Sequence, residues 1–261
     1  LKSCADLNVP IVGVTLLSEK GYFYQEIDAD GNQIELPYNF NINEFLKLLP
    51  SKTCVKIENR DVVIRIWYYP VQGTGGYIVP VFFLDTNLEP NSNYDREITK
   101  YLYGGDNKYR LAQEIVLGIG GVRAIESLGY LTIDKYHMNE GHAALGTLEL
   151  YDKFKDVEKV RNQCVFTTHT PVAAGHDQFE LPLAKSMIGD LIPDSLLHEF
   201  TFENKLNMTR LALFFSHYVN CVAKKHGEVS RLMFPGYAID SITNGVHTPT
   251  WVSETFQRLF D

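Results

Sequence analysis

The chain has 261 residues, 45% hydrophobic and 12% aromatic, which is enough to bury a sizeable core at the upper edge of single-domain length. A formal net charge of −8, with lysine and arginine scattered singly, excludes the clustered basic surface that a nucleic-acid partner needs. No apolar run approaches the roughly 18 residues of a membrane span, no signal peptide is recognisable and the first residue is Leu1, so the sequence reads as a cytoplasmic protein or a piece of one.

In chain order, Val9 to Leu17 is an apolar β run expected as a buried strand, and Tyr22 to Ile27 is a short aromatic strand ending in the turn residues Asp28 to Asn32. Val55 and Ile57, then Val62, Ile64, Ile66 and Tyr68, alternate on either side of Asn59-Arg60-Asp61, which predicts a hairpin. Tyr77 to Leu84 adds a strand, so residues 20–90 are expected to form a β-rich subdomain.

After Pro90 the pattern turns helical: Leu111, Ile115, Ile119 and Val122 recur at the spacing of a buried helical stripe. Gly118, Gly120 and Gly121 interrupt it. They do not make a dinucleotide fingerprint, because the third required position is Arg123 and no strand leads in; they read as sites of close helix packing. A strand is predicted over Ile133 to Tyr136, a helix over Asn139 to Tyr151, a strand over Gln163 to Thr168, and a polar loop and helix over Asp177 to Gly189. Asn207 to Lys225 reads as one long helix with Leu211, Phe215, Tyr218 and Val222 inward and Asn220 on a solvated face; Tyr237 to Ile242 is the last strand. Strands alternating with helices from residue 110 onward predict an α/β fold with a mostly parallel sheet. The four cysteines, Cys4, Cys54, Cys164 and Cys221, have no metal or redox spacing and read as reduced core residues.

The reactive residues gather just past predicted strand ends, where an open α/β sheet presents its ligand crevice. His137, His142, His169, His176 and Asp177 are numerous enough for a metal site, but no pair of histidines stands at i and i+4, and no metal is expected. No Gly-x-Ser-x-Gly elbow is present. A two-carboxylate glycosidase would need Glu140, Asp106 or Asp177 opposed to one another, which the sequence does not dictate. What fits is a polar pocket of amides (Asn107, Asn139, Asn244), imidazoles (His142, His169) and hydroxyls (Thr168, Thr170), suited to the many hydroxyls of a carbohydrate.

Five stretches carry a resemblance: Leu102 to Asn107, Gln113 to Ala124, His137 to Ala144, Thr168 to Asp177 and Thr243 to Pro249. In this order they strongly resemble the α-glucan (glycogen, starch, maltodextrin) phosphorylases, closest to the short forms of bacteria and archaea. The resemblance implies a retaining glycosyltransferase of two Rossmann-like domains (the GT-B type). It implies too that pyridoxal phosphate, acting through its phosphate, serves the cleavage of α-1,4-glucan by inorganic phosphate. It places the backbone carbonyl of His169 near the developing oxocarbenium charge and its side chain near the sugar 6-hydroxyl, with Asn244 as a second contact there. Asp106 and Asn107 match a loop that gates the cleft; Glu140 and His142 match positions bordering the acceptor sugar, and Asn139 beside them is taken as a further substrate-binding residue.

The family's Schiff-base lysine and phosphate-binding residues have no counterpart in these residues. The sequence is therefore expected to be an incomplete first domain, residues 91–261 its Rossmann-like part, without the cofactor domain, inactive and free of pyridoxal phosphate when alone. A homodimer is the family's common state. Two other readings are a non-catalytic glucan-binding or regulatory module and a nucleotide-sugar glycosyltransferase of the same fold.

Overall fold

A computed structural model describes residues 1–38, 41–102, 105–172, 175–253 and 255–256. The N-terminal part runs α1 (Lys2–Asp6), β1 (Gly13–Leu16), the hairpin β2 (Phe23–Ile27) and β3 (Gln33–Pro37), α2 (Ile42–Phe45), β4 (Lys47–Ile57), β5 (Arg60–Gln72), β6 (Ile78–Asp85) and α3 (Asn93–Arg96). Val55, Ile57, Val62, Ile64 and Ile66 are fully buried, so the alternation in the sequence is the inner face of the β4–β5 hairpin. Its turn is the pair Glu58-Asn59, both left-handed with φ of 51° and 63°, one residue earlier than the predicted Asn59-Arg60-Asp61. Two positive φ values give the turn whose twist matches that of paired strands.

This sheet has the order β1-β6-β5-β4, with β1 parallel to β6. The expected buried strand from Val9 to Leu17 is shorter and only half-buried, because β1 lies on the sheet edge and pairs with β6 alone. Among the described residues the β2–β3 hairpin is a two-stranded sheet by itself, and Tyr22, Phe23, Tyr24 and Ile27 are exposed along it.

The next element, α4 (Asn107–Ser127), carries the predicted stripe: Leu111, Ile115, Ile119 and Val122 are all buried. Its other faces are largely buried too, because it lies between the first sheet and α5 (Gly146–Phe154). The glycines make this possible. A Cβ on Gly118 would lie 2.6 Å from the backbone nitrogen of Gly146, and one on Gly120 would meet Ile64 at 2.6 Å. Close helix packing is thus what Gly118 and Gly120 serve.

Between α4 and α5 come β7 (Tyr136–Asn139) and a 3-10 turn over Gly141–Ala143. The predicted strand Ile133 to Tyr136 is therefore displaced, and the predicted helix from Asn139 starts at Gly146, because Glu140 adopts φ 67° and breaks the backbone between them. Then follow α6 (Val157–Gln163), β8 (Cys164–Thr168), β9 (Gln178–Glu180), α7 (Leu181–Ile188), α8 (Leu197–Phe200), β10 (Thr201–Phe202), β11 (Lys205–Asn207) and α9 (Met208–Phe214). The strands β10-β11-β9 form a small antiparallel sheet that the sequence reading missed.

The chain continues with β12 (Tyr218–Cys221), α10 (Lys224–Met233), β13 (Asp240–Ser241) and α11 (Thr248–Trp251). The predicted long helix over Asn207 to Lys225 is thus two helices and a strand. Tyr218 to Cys221 pair in parallel with Val165 to Thr168, which buries Val219, Asn220 and Cys221. Asn220 is consequently an interior strand residue, not a solvated helical one. The last strand shrinks from Tyr237–Ile242 to Asp240–Ser241. Together β13-β12-β8-β7 make the predicted parallel sheet, and one continuous core joins it through α4 to the first sheet. The fold is mixed α/β. The cysteines are free, but only Cys164 and Cys221 are core residues; Cys54 is exposed on β4. Among the described residues no helix is long and apolar enough to cross a membrane.

Candidate functional site

All four strands of the parallel sheet end on one edge, at Asn139, Thr168, Cys221 and Ser241. The side chains of Asn139, His169 and Asn244 are exposed along it. Asn244 is tied by its N–H to the Val222 carbonyl at 3.1 Å, beside a surface cavity of about 520 Å³ lined by Lys2, Val246, His247 and Trp251. The edge thus carries three of the predicted site residues as exposed polar groups.

Glu140 behaves differently. Its N–H extends the β7–β8 ladder by donating to the Thr167 carbonyl at 2.8 Å, and its positive φ turns the side chain inward, where the residue is 7% exposed. Four donors converge on the carboxyl group: His169 N–H at 2.6 Å, the Thr170 hydroxyl at 3.0 Å, Gly141 N–H at 3.3 Å and the Thr168 hydroxyl at 3.4 Å. These match the acceptor sites a carboxylate offers, so its oxygens are taken up by protein donors and hold the backbone of Thr168 to Thr170 in place.

Behind this edge a polar chain crosses three strands. The Thr167 hydroxyl donates to Asn220 Oδ1 at 2.9 Å and meets His137 Nε2 at 2.7 Å, so it accepts from a ring N–H there. Burial, and then the nearby His169, lower the His137 pKa and favour the neutral ring.

Asp106 and Asn107 stand apart from the sheet, at the N-terminus of α4. Asp106 is the N-cap, accepting the Tyr109 N–H at 2.8 Å, and Asn107 opens the helix; both are exposed. Tyr103 and Gly104 of the same motif, and Ala173 and Ala174 of the motif after β8, lie outside the described residues. One turn into α4, Arg110 Nη2 lies 3.0 Å from Asp177 Oδ2 and 3.0 Å from His142 Nδ1, which are themselves 3.0 Å apart. Beneath them is Glu114, 2% exposed, its Oε1 3.4 Å from Arg110 Nε and neither oxygen in hydrogen-bond geometry with a donor among the described residues. Burial, and then the neighbouring Asp177 charge, push the Glu114 carboxyl well above its usual value. Burial would raise Asp177 as well, but His142, the Glu114 carboxyl and Arg110 outweigh it and hold that carboxylate well below the usual range. Ligand atoms of Glu114, His142 and Asp177 lie within 4.8 Å of one another, close enough for a metal ion, yet the cation facing them is the guanidinium of Arg110.

Arg110, Glu114, Thr167 and Asn220 were not anticipated from the sequence. A carboxylate at i+4 from an arginine, inside the apolar stripe Leu111 to Ile119, was the available signal for the first two; the β-rich run Tyr218 to Cys221 was the signal for Asn220.

No protein-family model matches the chain. Among curated proteins it is 37% identical to a maltodextrin phosphorylase of Thermococcus litoralis across all of its length, and 34% of that protein is covered. It is 34% identical to a glycogen phosphorylase of Mycobacterium tuberculosis, with 99% of this chain and 34% of the relative covered. A glycogen phosphorylase of Aquifex aeolicus is 32% identical over all of the chain and 41% of the relative. Over its whole length the chain is therefore homologous to the glycogen and maltodextrin phosphorylases, and it spans about a third to two-fifths of theirs.

Proposed function

We propose that the full-length protein carrying this chain is an α-1,4-glucan phosphorylase, and that the carboxyl edge of the parallel sheet forms one wall of its sugar site. In the reaction the terminal glycosidic bond breaks, the glucan oxygen leaves with a proton, and a phosphate oxygen bonds C1 with retention, giving glucose 1-phosphate. The single observation that carries this reading is the Glu140 carboxylate fixing the N–H of His169 at the end of β8, in a chain whose relatives are phosphorylases.

With its N–H anchored, His169 offers a carbonyl dipole of set direction, which stabilises positive charge where it develops on the sugar ring. Its exposed imidazole and the exposed amides of Asn244 and Asn139 supply the donors and acceptors that orient a sugar by its hydroxyls. His142 borders the acceptor sugar and the Asp106–Asn107 segment gates the cleft in this reading, and Glu140 serves the site by holding His169. The two-domain GT-B plan, with these residues on the first domain, belongs to the same proposal.

The residues present do not fit pyridoxal phosphate. Of the cations named at this site, Lys2 donates to the Thr250 hydroxyl at 3.1 Å and Arg110 is engaged by Asp177. A cofactor of that kind would rest on other parts of the full-length protein, and no step is derived through it.

The test is phosphate-dependent release of glucose 1-phosphate from maltoheptaose by the full-length protein. His169→Ala is expected to lower kcat/KM by about 100-fold and Asn244→Ala by about tenfold with the fold intact. An inactive wild type refutes the reading, and two fully active variants refute the placement of the sugar.

A further inference from the structure

One side chain links the parts of the site that the sheet does not. Asp177 is fixed through its backbone, whose carbonyl accepts the Met208 N–H at the start of α9 at 3.1 Å, and the preceding His176 is fixed by its 2.8 Å bond to the Thr209 hydroxyl. From this post its carboxylate reaches two ways. Arg110, held at 3.0 Å, has its N–H on the Asp106 carbonyl at 2.9 Å, so the first turn of α4 and with it Asp106 and Asn107 are tied to Asp177. His142, also at 3.0 Å, belongs to the 3-10 turn that follows Glu140, which in turn holds His169.

We propose that Asp177 is a positioning residue of the sugar site, clamping the first turn of α4 against the loops that carry Glu140 and His169, with Arg110 as its partner. The inference rests on the phosphorylase reading for its effect on catalysis and on geometry alone for the clamp. The pair spans 67 positions in sequence and is half-buried, with side-chain exposures of 32% and 27%, so a charge-assisted hydrogen bond there is stronger than one at the open surface. Because Glu140 holds His169 without help from Asp177, loss of the clamp frees the Asp106–Asn107 segment and leaves the charge-stabilising carbonyl in place. The consequence is weaker sugar binding with the chemical step preserved.

The experiment uses the full-length protein with Asp177→Asn, Arg110→Met and the double variant, read by amide hydrogen exchange and by maltoheptaose kinetics. The expected result is exchange about tenfold faster at Tyr109 and Arg110 with β4 and β5 unchanged. KM for maltoheptaose should rise about tenfold with kcat within about threefold. The effects of the double variant should fall short of the sum of the two single ones, since the Arg110–Asp177 bond is lost only once, although each side chain also meets His142. Unchanged exchange at Tyr109 and Arg110, effects that add in the double variant, or a fall in kcat with KM unaltered would each overturn the clamp. If Asp177→Asn does not fold, Arg110→Met alone decides by the same readouts. An inactive wild type would sink the phosphorylase reading while the exchange result still tests the clamp.

Discussion

The end of β8 and the foot of α4 each bury a glutamate, and the two are treated in opposite ways. Glu140 is 7% exposed and receives four donors; Glu114 is 2% exposed and, among the described residues, has no donor in hydrogen-bond geometry, with Arg110 Nε at 3.4 Å outside it. A carboxyl group taken out of water loses its hydration, and protein donors can replace it. At β8 they do, and the result is a loop whose backbone is fixed to a single acceptor. At α4 they do not, so Glu114 is pushed toward its neutral form and the negative charge of that region is carried by Asp177, which faces Arg110 and His142. The contrast teaches that burial alone does not identify the residue that organises a site; the donors around it do.

The contrast breaks most visibly at Glu140. Glu140→Ala leaves His169 N–H and the Thr168 hydroxyl without their acceptor in a buried place, and a loss of about 3 kcal/mol in urea unfolding is expected. In the full-length protein kcat should fall by about 100-fold, because His169 loses its anchor. A kcat within about threefold of wild type would mean that the loop holds its shape without the carboxylate.

A smaller effect is expected at Thr167, whose hydroxyl links His137 to Asn220. Thr167→Val keeps the shape and removes the link, leaving a buried amide oxygen without its donor. The expected cost is about 1 to 2 kcal/mol by the same measurement. A change below about 0.5 kcal/mol would show that another group satisfies Asn220 once the hydroxyl is gone.

How much of this could be read in advance follows the range of the interactions. The β4–β5 hairpin was legible because alternation at Val62, Ile64 and Ile66 is local, and Gly118 was legible because a glycine inside a helical stripe has few other reasons to be there. The helix over Asn207 to Lys225 was misread because Leu211, Phe215, Tyr218 and Val222 fit a helical period. The strand that actually contains Tyr218 is four residues long, too short to show alternation, and is decided by pairing with Val165 to Thr168 about fifty positions earlier. Within the site, the polar residues past β7 and β8 were legible as a group. That Glu140 turns inward was not, since it depends on a φ of 67° and on donors from another strand. Arg110 and Asp177 meet across 67 positions, and nothing local to either announces the other.

The smallest effect, and the one that sharpens the comparison, is a gain in stability at Glu114. Its folded pKa lies above the ordinary carboxylate value, so between the unfolded value near about 4.3 and the raised folded one the native state holds a proton that the unfolded chain has lost. Stability therefore falls as pH rises through that window, and the full penalty is present above it. Glu114→Gln keeps the shape and has no proton to lose. It should match wild type at about pH 4 and exceed it by about 1 kcal/mol at about pH 8, a difference that grows with pH in between. Glu140→Gln serves as the control. It exchanges one acceptor oxygen for an amide that can only donate, against groups that already donate, and should destabilise at both pH values. If Glu114→Gln instead lowers stability at about pH 8, Glu114 is charged and paired with Arg110 in the folded protein, and the two glutamates are not opposites after all.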